Sequence, residues 1–244
     1  MFPTDAIIVS TVTQEVDGLV PRFAIGDGYA VYRGATTTGH VHRHAAFQIA
    51  IGMRGEVAIV DASGTQHRAA ALVVPPMEPH CLQAIPDVLT YFVEPHCVFA
   101  DRLRERHGTG VTTAPELRDL REDDVRPAGV RPSSQLDPRL VQVLNALSDQ
   151  NAPLPSLAAN VGLSPQRLRT LARHQLGMPL ARWRVWTRLR RAAEALQAGQ
   201  SLADAAITAG FADQAHLTRQ MREMMGLTPA VVLPILRGQY LRAT

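Results

Sequence analysis

The sequence contains no lysine, so all 25 of its basic residues other than histidine are arginines. A guanidinium group suits paired hydrogen bonds with phosphate or guanine. GC-rich coding also favours arginine, so this absence alone does not identify a partner. The distribution of charge along the chain is more informative about a partner. Residues 137–244 contain 13 arginines and 6 acidic residues, whereas residues 1–136 contain 12 arginines and 16 acidic residues. A basic C-terminal half behind an acidic N-terminal half indicates a nucleic-acid partner for the former.

Cysteines and long apolar runs are also scarce. Cys81 and Cys97 form no CxxC pair and suggest no disulfide framework. The first residues lack a basic stretch followed by an apolar one, so no signal peptide is predicted. No apolar run approaches the ~18 residues of a membrane span. We therefore expect a cytoplasmic protein without membrane insertion, and its 46% hydrophobic content excludes general disorder.

The N-terminal half has the pattern of an all-β domain. Short β-branched or aromatic segments alternate with glycine, proline or aspartate, and this spacing predicts an antiparallel sandwich or barrel. The predicted strands include residues 29–33, 47–52, 56–60, 71–74 and 89–93. Helical periodicity follows at residues 99–107, and a second short helix is predicted at 115–121.

A charged stretch rich in proline, glycine and serine then separates this domain from a helical one. We predict an α+β protein of two domains: a β-barrel domain over residues 1–122, a linker over 123–136 and an all-α domain over 137–244. The predicted helices of the second domain are 138–149, 154–161, 165–176, 179–198, 202–209, 214–225 and 229–237.

Two helix-turn-helix patterns lie in tandem in the helical domain, at Pro155–Arg169 and Ser201–Arg219. In each, a short apolar helix face precedes a glycine, Gly162 or Gly210, that can adopt the positive φ of a tight turn. A capping residue then begins the second helix, which such motifs place in the major groove of DNA. The tryptophan-bearing helix between the two units predicts a rigid spacing of about one DNA turn, ~34 Å.

The outer faces of the two recognition helices carry side chains suited to base edges and phosphates. These predicted DNA-binding residues are Gln166, Arg167, Arg169, Thr170 and Arg173 in the first unit, and Gln214, His216, Thr218, Arg219 and Arg222 in the second.

The motifs Gly162–Leu168, Gly210–Arg219 and Gly226–Pro229 resemble those of the AraC/XylS-type transcription regulators. The resemblance covers about residues 137–235. It implies a seven-helix domain that binds double-stranded promoter DNA through both recognition helices, as a monomer or homodimer, with RNA polymerase as a candidate partner.

A second resemblance concerns the histidines of the β domain. The run His40–Gln48 followed by Gly55, and then Pro75–His80, are similar to the two metal-binding motifs of cupins. Gln48 replaces the usual glutamate, and Met77 replaces a glycine. Regulators of the AraC/XylS type often carry such a barrel as an effector-sensing domain, which the resemblance implies here. Alternation along a strand would place His40, His42 and His44 on one face.

The sequence leaves the occupant of this site open. His42, His44, Gln48 and His80 are predicted to bind an effector, either an organic molecule held by hydrogen bonds or a divalent metal on His42, His44 and His80. A purely structural histidine cluster is the third alternative, and no cofactor is certain.

Two functions from different classes compete. The first is a transcription regulator without enzymatic activity, an activator or a repressor, controlled by a small ligand in the barrel. The alternative is a metal-dependent cupin enzyme with an appended helical domain, against which the missing carboxylate at Gln48 and the absence of an evident acid–base partner argue.

Overall fold

The computed structural model describes residues 21–149, 152–226 and 228–236. It confirms the predicted order of an antiparallel β domain followed by a helical domain. Within these described residues, no helix is both long enough and apolar enough to cross a membrane.

The β domain consists of two antiparallel sheets. One has six strands in the order β1-β2-β8-β3-β6-β9, and the other has three in the order β5-β4-β7. The strands are β1 (Arg22–Gly26), β2 (Tyr29–Thr36), β3 (Phe47–Gly52), β4 (Val57–Asp61), β5 (Gln66–Ala69), β6 (Ala71–Val74), β7 (His80–Leu82), β8 (Ile85–Val93) and β9 (Thr112–Thr113).

Burial explains why the central strands were predictable. Every residue of β3 and β6 is buried, and these strands pair with each other between β8 and β9. Val57 and Ile59 of the smaller sheet pack with Leu72 and Val88 of the larger one, so an apolar core lies between the sheets. All five predicted strands are present. The short or polar strands β1, β5, β7 and β9 lacked a pattern strong enough to predict.

The segment between the domains differs from its prediction. Residues 115–117 form a single 3-10 turn, and the helix expected at 115–121 instead begins at Glu122. It begins there because the Asp124 carboxylate accepts a hydrogen bond from the Arg121 amide at 2.9 Å. This helix, α2 (Glu122–Gly129), lies inside the segment predicted as a linker and buries Val125 against the β domain.

The rest of that segment is also bound to the β domain, through α1 (Val98–His107). The buried carboxylate of Asp101 accepts hydrogen bonds from the Ser133 hydroxyl at 2.5 Å and from the Ser134 amide at 2.8 Å. The composition of the segment suggested a flexible spacer, but these contacts hold it in one place. The exact domain boundaries remain a prediction.

The helical domain follows the sequence pattern closely. In the part of the chain that the structure describes, its helices are α3 (Pro138–Asp149), α4 (Leu154–Asn160), α5 (Pro165–Leu176), α6 (Leu180–Gln197), α7 (Leu202–Thr208), α8 (Gln214–Met225) and α9 (Pro229–Leu236). α4–α5 and α7–α8 are the two helix-turn-helix units. Gly162 and Gly210 both have positive φ in the turns.

The core of the helical domain continues into the β domain. Trp183 of α6 is fully buried and donates its indole N–H to the Leu144 carbonyl of α3. On the same helix, Trp186 contacts Phe92 of β8, and the same apolar cluster contains Ala45 and Ala46. The two domains therefore share a packed interface that α6 joins to both recognition units.

Replacing Asp101 tests whether the segment between the domains is held by its buried carboxylate. Asp101→Ala leaves the groups of Ser133, Ser134 and Arg104 without their acceptor, so the free energy of unfolding should fall by about 3 kcal/mol. Denaturant unfolding of the full chain measures it. The exposed Asp119→Ala is the control and should change stability by less than about 0.5 kcal/mol. An equal effect of the two changes would contradict this account.

Candidate DNA-binding and ligand-binding sites

The recognition helix of the first unit, α5, has a free polar face. All five predicted residues from Gln166 to Arg173 are exposed, whereas Leu168 and Ala172 are buried against the rest of the domain. The Ser164 hydroxyl caps the helix by accepting the Arg167 amide hydrogen at 3.1 Å. The capped end and the polar face are those of a helix that can enter a DNA groove.

The second recognition helix, α8, repeats this construction. The Asp213 carboxylate caps it by accepting the His216 amide hydrogen at 2.7 Å, and Leu217, Met221 and Met224 are buried. Gln214, Arg219 and Arg222 are exposed. His216 and Thr218 are half-buried, because the His216 ring packs on Phe211 and the Thr218 hydroxyl bonds the Gln214 carbonyl.

The two units differ in their surroundings. A groove of about 770 Å³ lies along α8, with four of its predicted DNA-binding residues on one side and His40 and Val41 of the β domain on the other. Those four residues are Gln214, Thr218, Arg219 and Arg222. The face of α8 that carries the predicted DNA-binding residues is thus bordered by a loop of the other domain.

The predicted effector residues converge inside the β domain, next to the helical domain. His42 and His80 form an isolated antiparallel bridge, with backbone hydrogen bonds of 3.0 and 3.1 Å in the two directions. This pairing places their rings 4.5 Å apart, and the ring of His44 lies 4.7 Å from that of His42. His42, His44 and His80 are buried, and their potential ligand atoms all lie within 4.8 Å of one another.

Each of these three rings has its Nδ1 atom on a backbone carbonyl. His42 Nδ1 lies 2.8 Å from the His40 oxygen, His80 Nδ1 lies 2.9 Å from the Glu78 oxygen, and His44 Nδ1 lies 2.6 Å from the Met224 oxygen. A carbonyl can only accept, so each Nδ1 must donate. In a neutral ring the opposite nitrogen, Nε2, then carries a free lone pair.

The Nε2 atoms point toward each other and toward Gln48. His42 Nε2 lies 3.1 Å from His44 Nε2, and His80 Nε2 lies 2.6 Å from Gln48 Oε1. Burial lowers the pKa of His42, and burial with the nearby His42 lowers the pKa of His80 to about 3. Burial, then the charges of His42 and His80, lower the pKa of His44 well below its usual value. All three rings are therefore neutral near pH 7.

These residues fit a divalent metal ion. Three neutral imidazoles with converging Nε2 atoms form a ligand set that suits zinc, nickel, copper or iron, and Gln48 supplies an oxygen beside them. The carbonyls on the three Nδ1 atoms are the outer partners that orient histidine ligands in metalloproteins.

Met77, at the position of the cupin glycine, adopts the left-handed backbone conformation with φ of 65°. This conformation is costly for a residue with a side chain. The Met77 amide donates to the His44 carbonyl at 2.7 Å, and its side chain packs against the core that the two domains share. The turn thus helps to hold His44 in place.

One prediction about the histidines is wrong. His40, His42 and His44 do not share one strand face, because residues 40–44 form no continuous strand and only His42 pairs with a neighbour. His40 is exposed and borders the groove along α8, while His42 and His44 turn inward. The histidine set of the cluster is therefore His42, His44 and His80.

The cluster is attached directly to the C-terminal end of α8. Besides the His44–Met224 hydrogen bond, the Arg43 amide donates to the Glu223 carbonyl at 3.3 Å. Gly226 caps the helix in the left-handed conformation, and a Cβ atom there would lie 2.6 Å from His42 Nδ1. Only glycine lets the end of α8 approach His42 this closely.

A buried ion pair holds the domains together nearby. Glu94, just after β8, is 2% exposed, and its Oε1 accepts from the Trp186 indole at 3.0 Å and from Arg190 at 2.5 Å. Arg190 also donates to the Gly26 carbonyl at 3.0 Å. Sequence reasoning missed this group. The spacing of Trp186 and Arg190 on one face of α6 was the available signal, but nothing marked Glu94 as their partner.

Comparison with known proteins identifies the helical part first. A family model described as a helix-turn-helix domain matches residues 157–233. The bifunctional transcriptional activator and DNA repair enzyme Ada of Escherichia coli K12 is 33% identical over 113 residues, which cover 41% of this chain and 32% of Ada. The arabinose operon regulatory protein of the same organism is 34% identical over 85 residues, which cover 34% and 29%. The chain thus spans about a third of the length of these relatives.

The fold of both domains together is also similar to that of a solved structure. A 1.65 Å structure of ToxT from Vibrio cholerae superposes with a TM-score of 0.58 at 10% identity, covering 86% of this chain and 100% of ToxT. The class is therefore a two-domain fold in which a helix-turn-helix domain follows a β domain. Within that class, part of the chain, mostly its helical domain, is similar to the arabinose operon regulatory protein, in agreement with the resemblance to AraC/XylS-type regulators predicted from its motifs.

Removing Arg190 tests the buried ion pair. Arg190→Ala leaves the Glu94 carboxylate buried without its cation, so the free energy of unfolding should fall by about 3 kcal/mol. The control is Arg139→Ala, which removes an exposed pair with Asp137 and should cost less than about 1 kcal/mol. Denaturant unfolding of both variants measures the difference. If Arg190→Ala were as mild as the control, the pair would not hold the domains together.

Proposed function

We propose that this protein is a transcription regulator that binds double-stranded promoter DNA through α5 and α8 and responds to a small ligand at His42, His44, Gln48 and His80. The observation that carries this proposal is the pair of capped recognition helices, each with a polar outer face rich in arginine. Phosphate contacts would supply most of the affinity, and base contacts the specificity.

The ligand-binding part of the proposal rests on where the histidine cluster lies. A ligand shifts a conformational equilibrium only through its differential affinity for the two states, and direct contact with both domains is one source of such a difference. Here His44 forms a hydrogen bond with the Met224 carbonyl near the end of α8, so a ligand at the cluster would affect the position of a recognition helix. The relatives Ada and the arabinose operon protein are themselves described as a transcriptional activator and an operon regulator.

The comparisons favour regulation over the alternative of a metal-dependent cupin enzyme. We propose that the chain has no catalytic role of its own and acts in the cytoplasm, as a monomer or homodimer that raises or lowers transcription with RNA polymerase as its further partner. Its DNA target is expected to contain two contacted segments about one helical turn, ~10 base pairs, apart.

Selection from a random double-stranded DNA library with the full chain tests the DNA-binding part. The recovered fragments should share two short conserved segments at that spacing. Binding should weaken steeply with salt, because each arginine on a phosphate releases counterions. Recovery of no preferred sequence, or affinity that salt leaves unchanged, would overturn the proposal.

Variants of the two recognition helices test the assignment of residues. Arg169→Ala in α5 and Arg219→Ala in α8 should each weaken binding to the selected fragment by about 1–3 kcal/mol, since each removes a base or phosphate contact. Fluorescence anisotropy measures these affinities. Arg118→Ala, an exposed arginine of the β domain, is the matched control and should bind like the unaltered protein. An equal loss in the control would point to general charge attraction.

A further inference from the structure

We propose that the ligand of the three-histidine cluster is a divalent transition-metal ion, and that this ion weakens DNA binding by fastening α8 to the β domain through His44. This inference rests on the proposed function and names the ligand class and the direction of control for the same site. Four observations carry it: the hydrogen bonds from the Nδ1 atoms that leave Nε2 as the ligand atom of each ring, the spacing of the ligand atoms, the bond from His44 to Met224, and the groove along α8.

The first step is the orientation of the rings. The three backbone carbonyls accept the three Nδ1 hydrogens, so His42 and His44 face each other through their Nε2 atoms, which are left as the ligand atoms. These two nitrogens lie 3.1 Å apart in a buried site, where a cation would contact both of them.

The second step is the size of the site. An ion about 2.0–2.1 Å from each nitrogen in a tetrahedron places two ligand nitrogens about 3.4 Å apart. The His42–His44 distance of 3.1 Å is already close to this, and no ligand atom of the cluster lies more than 4.8 Å from another. A metal ion therefore requires a modest approach of His80 and no rearrangement of His42 and His44.

The third step is the identity of the outer partners. His42 and His80 donate to carbonyls of their own domain, but His44 donates to Met224, in the last turn of α8. A metal on Nε2 withdraws electrons from the ring and makes the Nδ1 hydrogen a stronger donor. In typical sites, loss of the hydrogen bond between a histidine ligand and its outer partner lowers the metal affinity roughly 10- to 100-fold. The metal and the position of α8 therefore stabilise each other.

The fourth step gives the direction of the effect. With α8 attached, His40 and Val41 border the face that carries Gln214, Thr218 and Arg219. A helix with its side chains is about 10–12 Å across, and the major groove is about 12 Å wide. A loop beside the helix therefore competes with the DNA walls for the same space. Metal that strengthens the attachment should hold α8 away from DNA.

Metal binding is measured first. Chelator-treated full chain is titrated with Zn²⁺ by calorimetry, and with Co²⁺ by its visible absorption, which reports coordination independently of DNA. One ion per chain is expected, and His80→Ala should lower the affinity by more than about tenfold, because loss of a ligand should cost at least as much as loss of an outer partner. His67→Ala is the control, because this histidine pairs with Asp61 outside the cluster. Equal binding by the His80 variant would overturn the metal site.

DNA binding is then measured with the selected fragment, with and without stoichiometric Zn²⁺. The dissociation constant should rise about 5- to 150-fold with metal, the usual range of coupling between two sites. Reciprocity requires that DNA weaken Zn²⁺ binding by the same factor. Added metal should have no such effect on His80→Ala. A metal that left the affinity unchanged, or raised it, would overturn the inference.

A variant of the domain interface separates coupling from metal binding. Glu94→Gln combined with Arg190→Gln replaces the buried ion pair by two neutral amides and leaves the cluster untouched. It should keep its Zn²⁺ affinity to within a few-fold, while the effect of Zn²⁺ on DNA binding shrinks. Retention of the full effect would show that coupling does not pass through this interface. Its folding is checked by calorimetric unfolding, and Glu94→Gln alone serves if the double variant is unstable.

These measurements distinguish the two proposals. If metal-free protein selects no DNA sequence, the proposed function fails, whatever the metal does. If it binds a selected fragment but takes up no Zn²⁺, or takes it up without any change in DNA affinity, the metal inference alone fails.

Discussion

The buried carboxylate of Glu94 is the interaction on which the arrangement of the two domains depends. A carboxylate in an apolar interface is stable only where cationic and N–H partners surround it. Glu94 finds these partners on a single helix, α6, through Trp186 and Arg190. Because α6 also packs Trp183 against α3, the position of this one side chain orients the core of the helical domain. The interface is specified by polar pairing and filled by apolar packing.

The histidine cluster depends on that arrangement. The Trp186 ring also lies 6.4 Å from the ring of His44, and the Phe92 ring lies near both, at 4.8 Å from His44 and 6.0 Å from Trp186. The rings of the cluster are thus enclosed by the same aromatic contacts that join the domains. If the domains separated, water would reach the cluster, and His44 would lose its partner on α8. The histidine cluster therefore lies at the edge of the interface between the two domains.

The sequence predicted the helical domain almost residue by residue, because capping residues, turn glycines and helical periodicity are local signals. Ser164 and Asp213 mark the starts of the recognition helices, because each accepts a hydrogen bond from the amide three positions further along the chain. The contacts that attach the histidine cluster to α8 and join the two domains are not local. His44 and Met224 are 180 positions apart, and Glu94 and Arg190 are 96 apart. No spacing rule connects such pairs, so the histidine cluster was predictable as a set but its attachment to α8 was not.

The segment after α1 is a second case in which the sequence alone did not predict the structure. Its proline, glycine and serine content is typical of a spacer, yet Ser133 and Ser134 donate to a buried aspartate and Gly129 packs against Gly28 at close range. Composition describes what an isolated chain prefers, whereas a buried acceptor such as Asp101 decides what the folded chain does. A rigid connection has a functional consequence. Because the connection between the domains is rigid, we expect α8 to separate from His44 only when the shared interface opens as well. A ligand that stabilises the cluster would therefore oppose both changes together.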